Sequence, residues 1–98
     1  MKVREWFINK VRTAASKYNI YLDFSYEKDG WVSLSIADFL EETEKAIKVE
    51  INSSISVGSF SNWTTWIPKS VIDIDEKTRK IIDEVLAEQI EKKGELRK

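Results

Sequence analysis

IYLDFSYEKDGWVSLSIA, residues Ile20–Ala37, is the stretch that decides the fold. Its first half alternates strictly. Ile20, Leu22, Phe24 and Tyr26 fall on one face, with Tyr21, Asp23, Ser25 and Glu27 on the other. Successive strand residues point to opposite faces, so this pattern predicts a half-buried strand. Lys28-Asp29-Gly30 follows, and Asp-Gly is a pair favoured in tight hairpin turns. WVSLSIA then alternates again, placing Val32, Leu34 and Ile36 inward and Trp31, Ser33 and Ser35 outward. The two strands predict an antiparallel hairpin with one apolar face.

Working outward, two further strands are expected. AIKVEIN (Ala46–Asn52) puts Ile47, Val49 and Ile51 inward, with Lys48 and Glu50 outward. In NWTTWI (Asn62–Ile67), Ile67 reads as a core residue, which takes Trp63 and Thr65 inward with it. Asn62, Thr64 and Trp66 then face out, and Pro68 stops the strand because it has no N–H for a ladder. The Ser/Gly-rich SSISVGSF between them reads as a hairpin connection. Ala37–Lys45, rich in carboxylates, reads as an acidic, solvated turn with one helical turn at Asp38–Glu42.

Helices are expected at both ends. From Lys2 to Tyr18, the residues Val3, Phe7, Val11, Ala14 and Tyr18 recur at spacings of three and four, with Asn19 as the stop. A second helix runs from about Glu76 to Lys93, capped by Asp73 or Asp75. Ile74, Thr78, Ile81, Ile82, Val85 and Gln89 form its main stripe, and Leu86, Ile90 and Leu96 widen it. The fold class expected is therefore α+β in the order α-β-β-β-β-α. One four-stranded antiparallel sheet is covered on one face by both helices, with a partly closed small barrel as the alternative.

The composition excludes several function classes. The 98 residues make a single domain, with 42% hydrophobic and 34% charged residues. Cysteine and histidine are both absent, which removes disulfides, thiolate nucleophiles, imidazole bases and Cys/His zinc sites. No cofactor or metal is expected, and no enzymatic activity. No apolar run is long enough to span a bilayer, so a cytoplasmic protein without a membrane partner is expected. Abundant Lys, Glu and Ile, with a single Gln, resemble the usage of thermophile proteins.

Charge is unevenly placed. Residues 1–18 carry five basic groups against Glu5, a balance of +4, whereas residues 19–74 carry four lysines against nine carboxylates, a balance of −5. A polyanion-binding surface must therefore be local and include the first helix. One flank of that helix carries Lys2, Trp6, Lys10, Thr13 and Lys17, a basic strip holding an aromatic ring. On the open sheet face, Trp31 and Trp66, with Tyr21 or Phe60, are candidates for stacking on bases, and Lys45, Lys48 and Lys69 for neutralising phosphates. The wide stripe of the last helix, Ile82, Leu86 and Ile90, is a candidate homodimer interface.

ETEKAIKVEI (Glu42–Ile51) together with WIPKSVI (Trp66–Ile72) resembles a pattern of small phage and archaeal proteins. Through it the chain is similar to the ThermoDBP-type archaeal single-stranded DNA-binding proteins. The resemblance implies a small α+β nucleic-acid domain with a C-terminal helix used for association, and it assigns no individual binding residue. Two function classes follow. One is a non-enzymatic binder of single-stranded DNA or RNA. The other is a protein-interaction or oligomerisation module, such as a viral or plasmid regulator.

Overall fold

A computed structural model describes the backbone of residues 1–55 and 60–96, and the side chains of 1–55 and 61–90. Among the described residues, eight strands and two α-helices occur in the order β1 (Lys2–Arg4), α1 (Glu5–Ser16), β2 (Ile20–Leu22), β3 (Phe24–Tyr26), β4 (Trp31–Leu34), β5 (Ile36–Glu42), β6 (Ala46–Ile55), β7 (Phe60–Pro68), β8 (Ile72–Asp73) and α2 (Glu76–Leu96). The class is α+β with antiparallel pairing throughout, as the alternation required. The expected single four-stranded sheet is not what forms. One sheet has the order β3-β4-β1-β8, and the other is built on β6, with β2 and β5 along one side and β7 along the other.

The reason lies at Asp23 and Ser35, where both strands of the expected hairpin bend. Asp23 N donates to Asn52 O (2.8 Å), Asn52 N to Ser35 O (3.0 Å), and Ser35 N to Asp23 O (3.0 Å), a closed ring of backbone bonds. The Asn52 side-chain amide also donates to Ser35 Oγ at 2.9 Å. Beyond the bend, β3 and β4 leave β6 and pair with each other in the other sheet, Phe24 opposite Leu34 and Tyr26 opposite Val32. Alternation is unbroken through the bend, so it signals strand and inner face but not the change of sheet. At the far end of this hairpin, Asp29 and Gly30 both take left-handed φ (58° and 78°), the mirror-image turn that Asp-Gly favours.

The N-terminal segment splits. Lys2–Arg4 is a strand lying between β4 and β8, with Val3 opposite both Val32 and Ile72 and fully buried. The helix starts only at Glu5, so its buried stripe is Ile8, Val11 and Ala15. Of the five residues expected on that stripe, Ala14 and Tyr18 are exposed. Asn19, with φ 58°, provides the expected stop.

Residues 36–42 form a strand, not an acidic turn. Two bulges interrupt its pairing with β6, so Ile36, Phe39 and Glu42 lie opposite Ile51, Val49 and Ile47. Inner positions therefore recur every three residues, a spacing that reads as helical in sequence. The linker 56–59 and the side chains of Phe60, Lys93 and Leu96 lie outside the described residues.

One core serves both sheets. Val3, Val32 and Leu34 from one sheet join Ile47, Val49, Ile51 and Ile67 from the other, with Ile8 of α1 and Ile82 of α2. α1 rests against β1, β2 and β4, while α2 runs along β5. The helices thus cover different strands and do not share one sheet face. Asp75 caps α2, its Oδ1 accepting from Thr78 N at 2.8 Å. Farther along, Arg79 donates both terminal nitrogens to Glu42 (2.6 Å each), and Lys69 Nζ lies 2.7 Å from the same carboxylate. The Gln89 side chain also donates to Asp38 Oδ1 (3.3 Å) and to the Phe39 carbonyl. Among the described residues, no helix is long and apolar enough to cross a membrane.

Candidate nucleic-acid interface

The bend after Leu22 and the tight connection at Asn19 bring the end of α1 against β2 and β3. Asn9, Arg12, Thr13 and Ser16 lie at helical spacings of three and four, so they form one continuous stripe beside the buried one. Local bonds order it: Thr13 Oγ1 donates to Asn9 O (2.9 Å), Ser16 Oγ to Thr13 O (2.9 Å), and Arg12 Nη1 to Asn9 Oδ1 (3.4 Å). This stripe walls one side of a groove of about 460 Å³, and Tyr21 and Phe24 wall the other. None of the described residues lining it is a carboxylate.

The groove combines a cation with aromatic faces. The Arg12 guanidinium stands 5.3 Å from the centre of the Phe24 ring, a cation–π arrangement. Phe24 meets Tyr26 edge to face at 5.5 Å. Tyr21 and Tyr26 are 53% and 63% exposed, so their rings are open to a ligand. On the adjoining flank of α1, Lys10 Nζ lies 5.3 Å from the Trp6 ring, and Trp6 is 54% exposed. A second groove of about 480 Å³ shares Tyr21 and is lined by polar groups of Asp23, Asn52, Ser54 and Asn62. Tyr21 thus stands between a basic groove and a polar one.

The other expected site residues are dispersed. Trp31 belongs to the sheet of β1, β3, β4 and β8, where it is half-buried under the Arg4 guanidinium at 3.9 Å. Trp66 belongs to the other sheet, opposite Lys48 and 39% exposed. The two tryptophans therefore do not share an open sheet face. Lys69 is paired with Glu42, and Lys48 is half-buried opposite Glu41, whereas Lys45 is exposed in the turn before β6. The Phe60 side chain lies outside the described residues. Of the α2 residues expected at a dimer interface, Ile82 is fully buried in the chain's own core, Leu86 is half-buried, and Ile90 is 71% exposed.

The acidic cluster resolves into structure as well. Arg79, first through its hydrogen bonds, and Lys69 hold the Glu42 carboxyl down to about 2 against the desolvation that opposes them. Glu42 is therefore an anchor between β5 and α2. No group of acidic side chains among the described residues is arranged to hold a metal ion.

Arg12, Phe24 and Tyr26 are the residues that sequence reading left out of the site. Alternation assigned Phe24 and Tyr26 to the core, and Arg12 fell outside the basic flank. The available signal was the short connection, Lys17 to Asn19, which forces the +4 segment to abut the strand that follows. No family model matches the chain, and neither a curated protein nor a solved structure matches it at a significant level.

Proposed function

We propose that this protein binds single-stranded nucleic acid, without catalysis, in the groove between α1 and β2–β3. The observation that carries the reading is the convergence there of Arg12 with the exposed ring of Tyr21 and the half-buried ring of Phe24, on a wall free of carboxylates among the described residues. Any base can stack on an aromatic ring, so such a surface tolerates many sequences. Arg12 and the neighbouring Lys10 supply the charge that phosphates require, and Trp6 adds a ring beside them. The groove serves a single strand because its polar stripe and aromatic wall address a sugar–phosphate backbone and an unpaired base together.

Fluorescence titration with a labelled single-stranded oligonucleotide, at low and moderate salt, tests this. Affinity is expected to fall as salt rises, and Arg12→Ala is expected to lower the logarithmic salt slope by about 0.7. Tyr21→Ala is expected to cost about 1–3 kcal/mol of binding with the slope unchanged. Absence of salt-dependent binding would exclude nucleic acid as the ligand and leave the protein-interaction class.

A further inference from the structure

β7 is a nine-residue strand that, among the described residues, pairs only with β6. Among the described residues its second side has no strand partner, and the pairing with β6 shows which groups lie there. In β6, Asn52 directs both its N–H and its C=O toward β2 and β5, through Ser35 and Asp23, and Ala46 O accepts from Thr43 N on that same side. Lys45 O accepts instead from Lys69 N, on the β7 side. Backbone direction alternates along a strand, so the even residues of β6 point away from β7. Their partners in β7, Asn62 opposite Asn52, Thr64 opposite Glu50 and Trp66 opposite Lys48, therefore direct their N–H and C=O groups to the open side. Pro68 follows the same parity. Its missing N–H falls on the open side and removes nothing from the ladder with β6.

Natural sheets protect such edges with charge, bulges, brevity or a covering element. The other edges here follow that rule. β3 and β8 are only three and two residues long. β5 carries Asp38, Glu41 and Glu42, has two bulges, and has α2 alongside. β7 has none of these within Phe60–Ile67, a stretch with no charged residue. Two tryptophans straddle it, Trp63 half-buried on the inner face and Trp66 exposed on the outer.

We propose that this edge pairs with a second copy of itself, β7 antiparallel to β7 about a two-fold axis at Thr64. In that register Thr64 faces its own counterpart, and Asn62 faces Trp66 of the second copy. Each of these pairs exchanges both backbone bonds, so every donor from Asn62 to Trp66 that points outward is used. A register centred on Thr65 sets Asn62 opposite Pro68, and one centred on Trp63 sets Trp66 opposite Phe60, at the first residue of the strand. No like charges meet at the seam, because Glu50 is separated from its counterpart by both Thr64 side chains. The interface is self-complementary, as a two-fold contact must be. It is distinct from α2 and from the groove proposed to bind nucleic acid.

Light scattering across a concentration series tests the proposal on the full chain, together with amide exchange. The expected result is a species of twice 11.4 kDa, with the Asn62, Thr64 and Trp66 amides slowing in exchange as it forms. Thr64→Lys sets two ammonium groups face to face at the axis and is expected to raise the dissociation constant about tenfold or more. Ala14→Lys, at an exposed position of α1 outside the groove, is expected to leave it unchanged. A wild-type chain that stays at 11.4 kDa at every concentration overturns the proposal. So does a dimer that survives Thr64→Lys with those amides unprotected, which would place the contact elsewhere, such as at Ile90.

Discussion

Glu42 sits at a place where a carboxylate is unusual, an inward position of a strand opposite the fully buried Ile47. Its charge is retained because two cations reach it, Arg79 from α2 with a two-pronged contact and Lys69 from the turn after β7. The carboxyl is held near 2, below its ordinary 4.5, so the folded state favours the ionised form. The stability it contributes is complete above about pH 4.5 and is lost as pH falls through about 2. Arg79→Gln is therefore expected to lower stability by about 1–2 kcal/mol at pH 6. Urea unfolding should show that gap narrowing progressively between pH 4.5 and pH 2, with the wild type losing the advantage. Equal gaps at both ends of the range would mean that Arg79 acts by packing alone.

At the scale of elements, legibility followed periodicity. β6 was plain because Ile47, Val49 and Ile51 alternate without interruption, and all three are fully buried. β5 was hidden because its bulges spread Ile36, Phe39 and Glu42 three apart, and no period-two pattern survives. The start of α1 is not legible because Val3, Phe7 and Val11 fit a helical stripe, although Val3 belongs to a strand inserted between two distant segments. Local spacing carries no information about such long-range insertion. For the same reason the groove is only partly legible: the sequence points to Tyr21, Trp6 and Lys10, but Arg12 over Phe24 depends on how α1 meets β3. α2 shows the same division along one helix, since Ile82 is fully buried and Ile90 is 71% exposed. Ile82→Ala is expected to cost about 2–5 kcal/mol in denaturant unfolding. Ile90→Ala is expected to stay within about 0.5 kcal/mol.

For the whole molecule, the ring of bonds among Asp23, Ser35 and Asn52 is where the two sheets become one structure. Strands enter it from one sheet and leave in the other, and the residues buried on both sides belong to a single core. The sheets are therefore expected to melt together, in one transition with equal calorimetric and van't Hoff enthalpies. Native-state hydrogen exchange offers the finer check: the Asn52 and Ser35 amides should exchange only through global unfolding. Faster exchange there than in the remainder of β6 would show that the sheets open separately.

The position of β1 bears on how the chain folds during synthesis. Residues 2–4 leave the ribosome before both strands that flank them, since they lie between β4 and β8, and β8 is formed by residues 72–73. The hairpin of β3 and β4 can close early, since its contacts are local. Its sheet stays one strand short until most of the chain has emerged, and α2 docks on β5 only after that. Until then one side of β1 is open, with Val3 uncovered. β1, made before either of its partners, is thus among the last strands to be fully enclosed, and a nascent chain stalled before Ile72 offers its neighbours an unpaired strand.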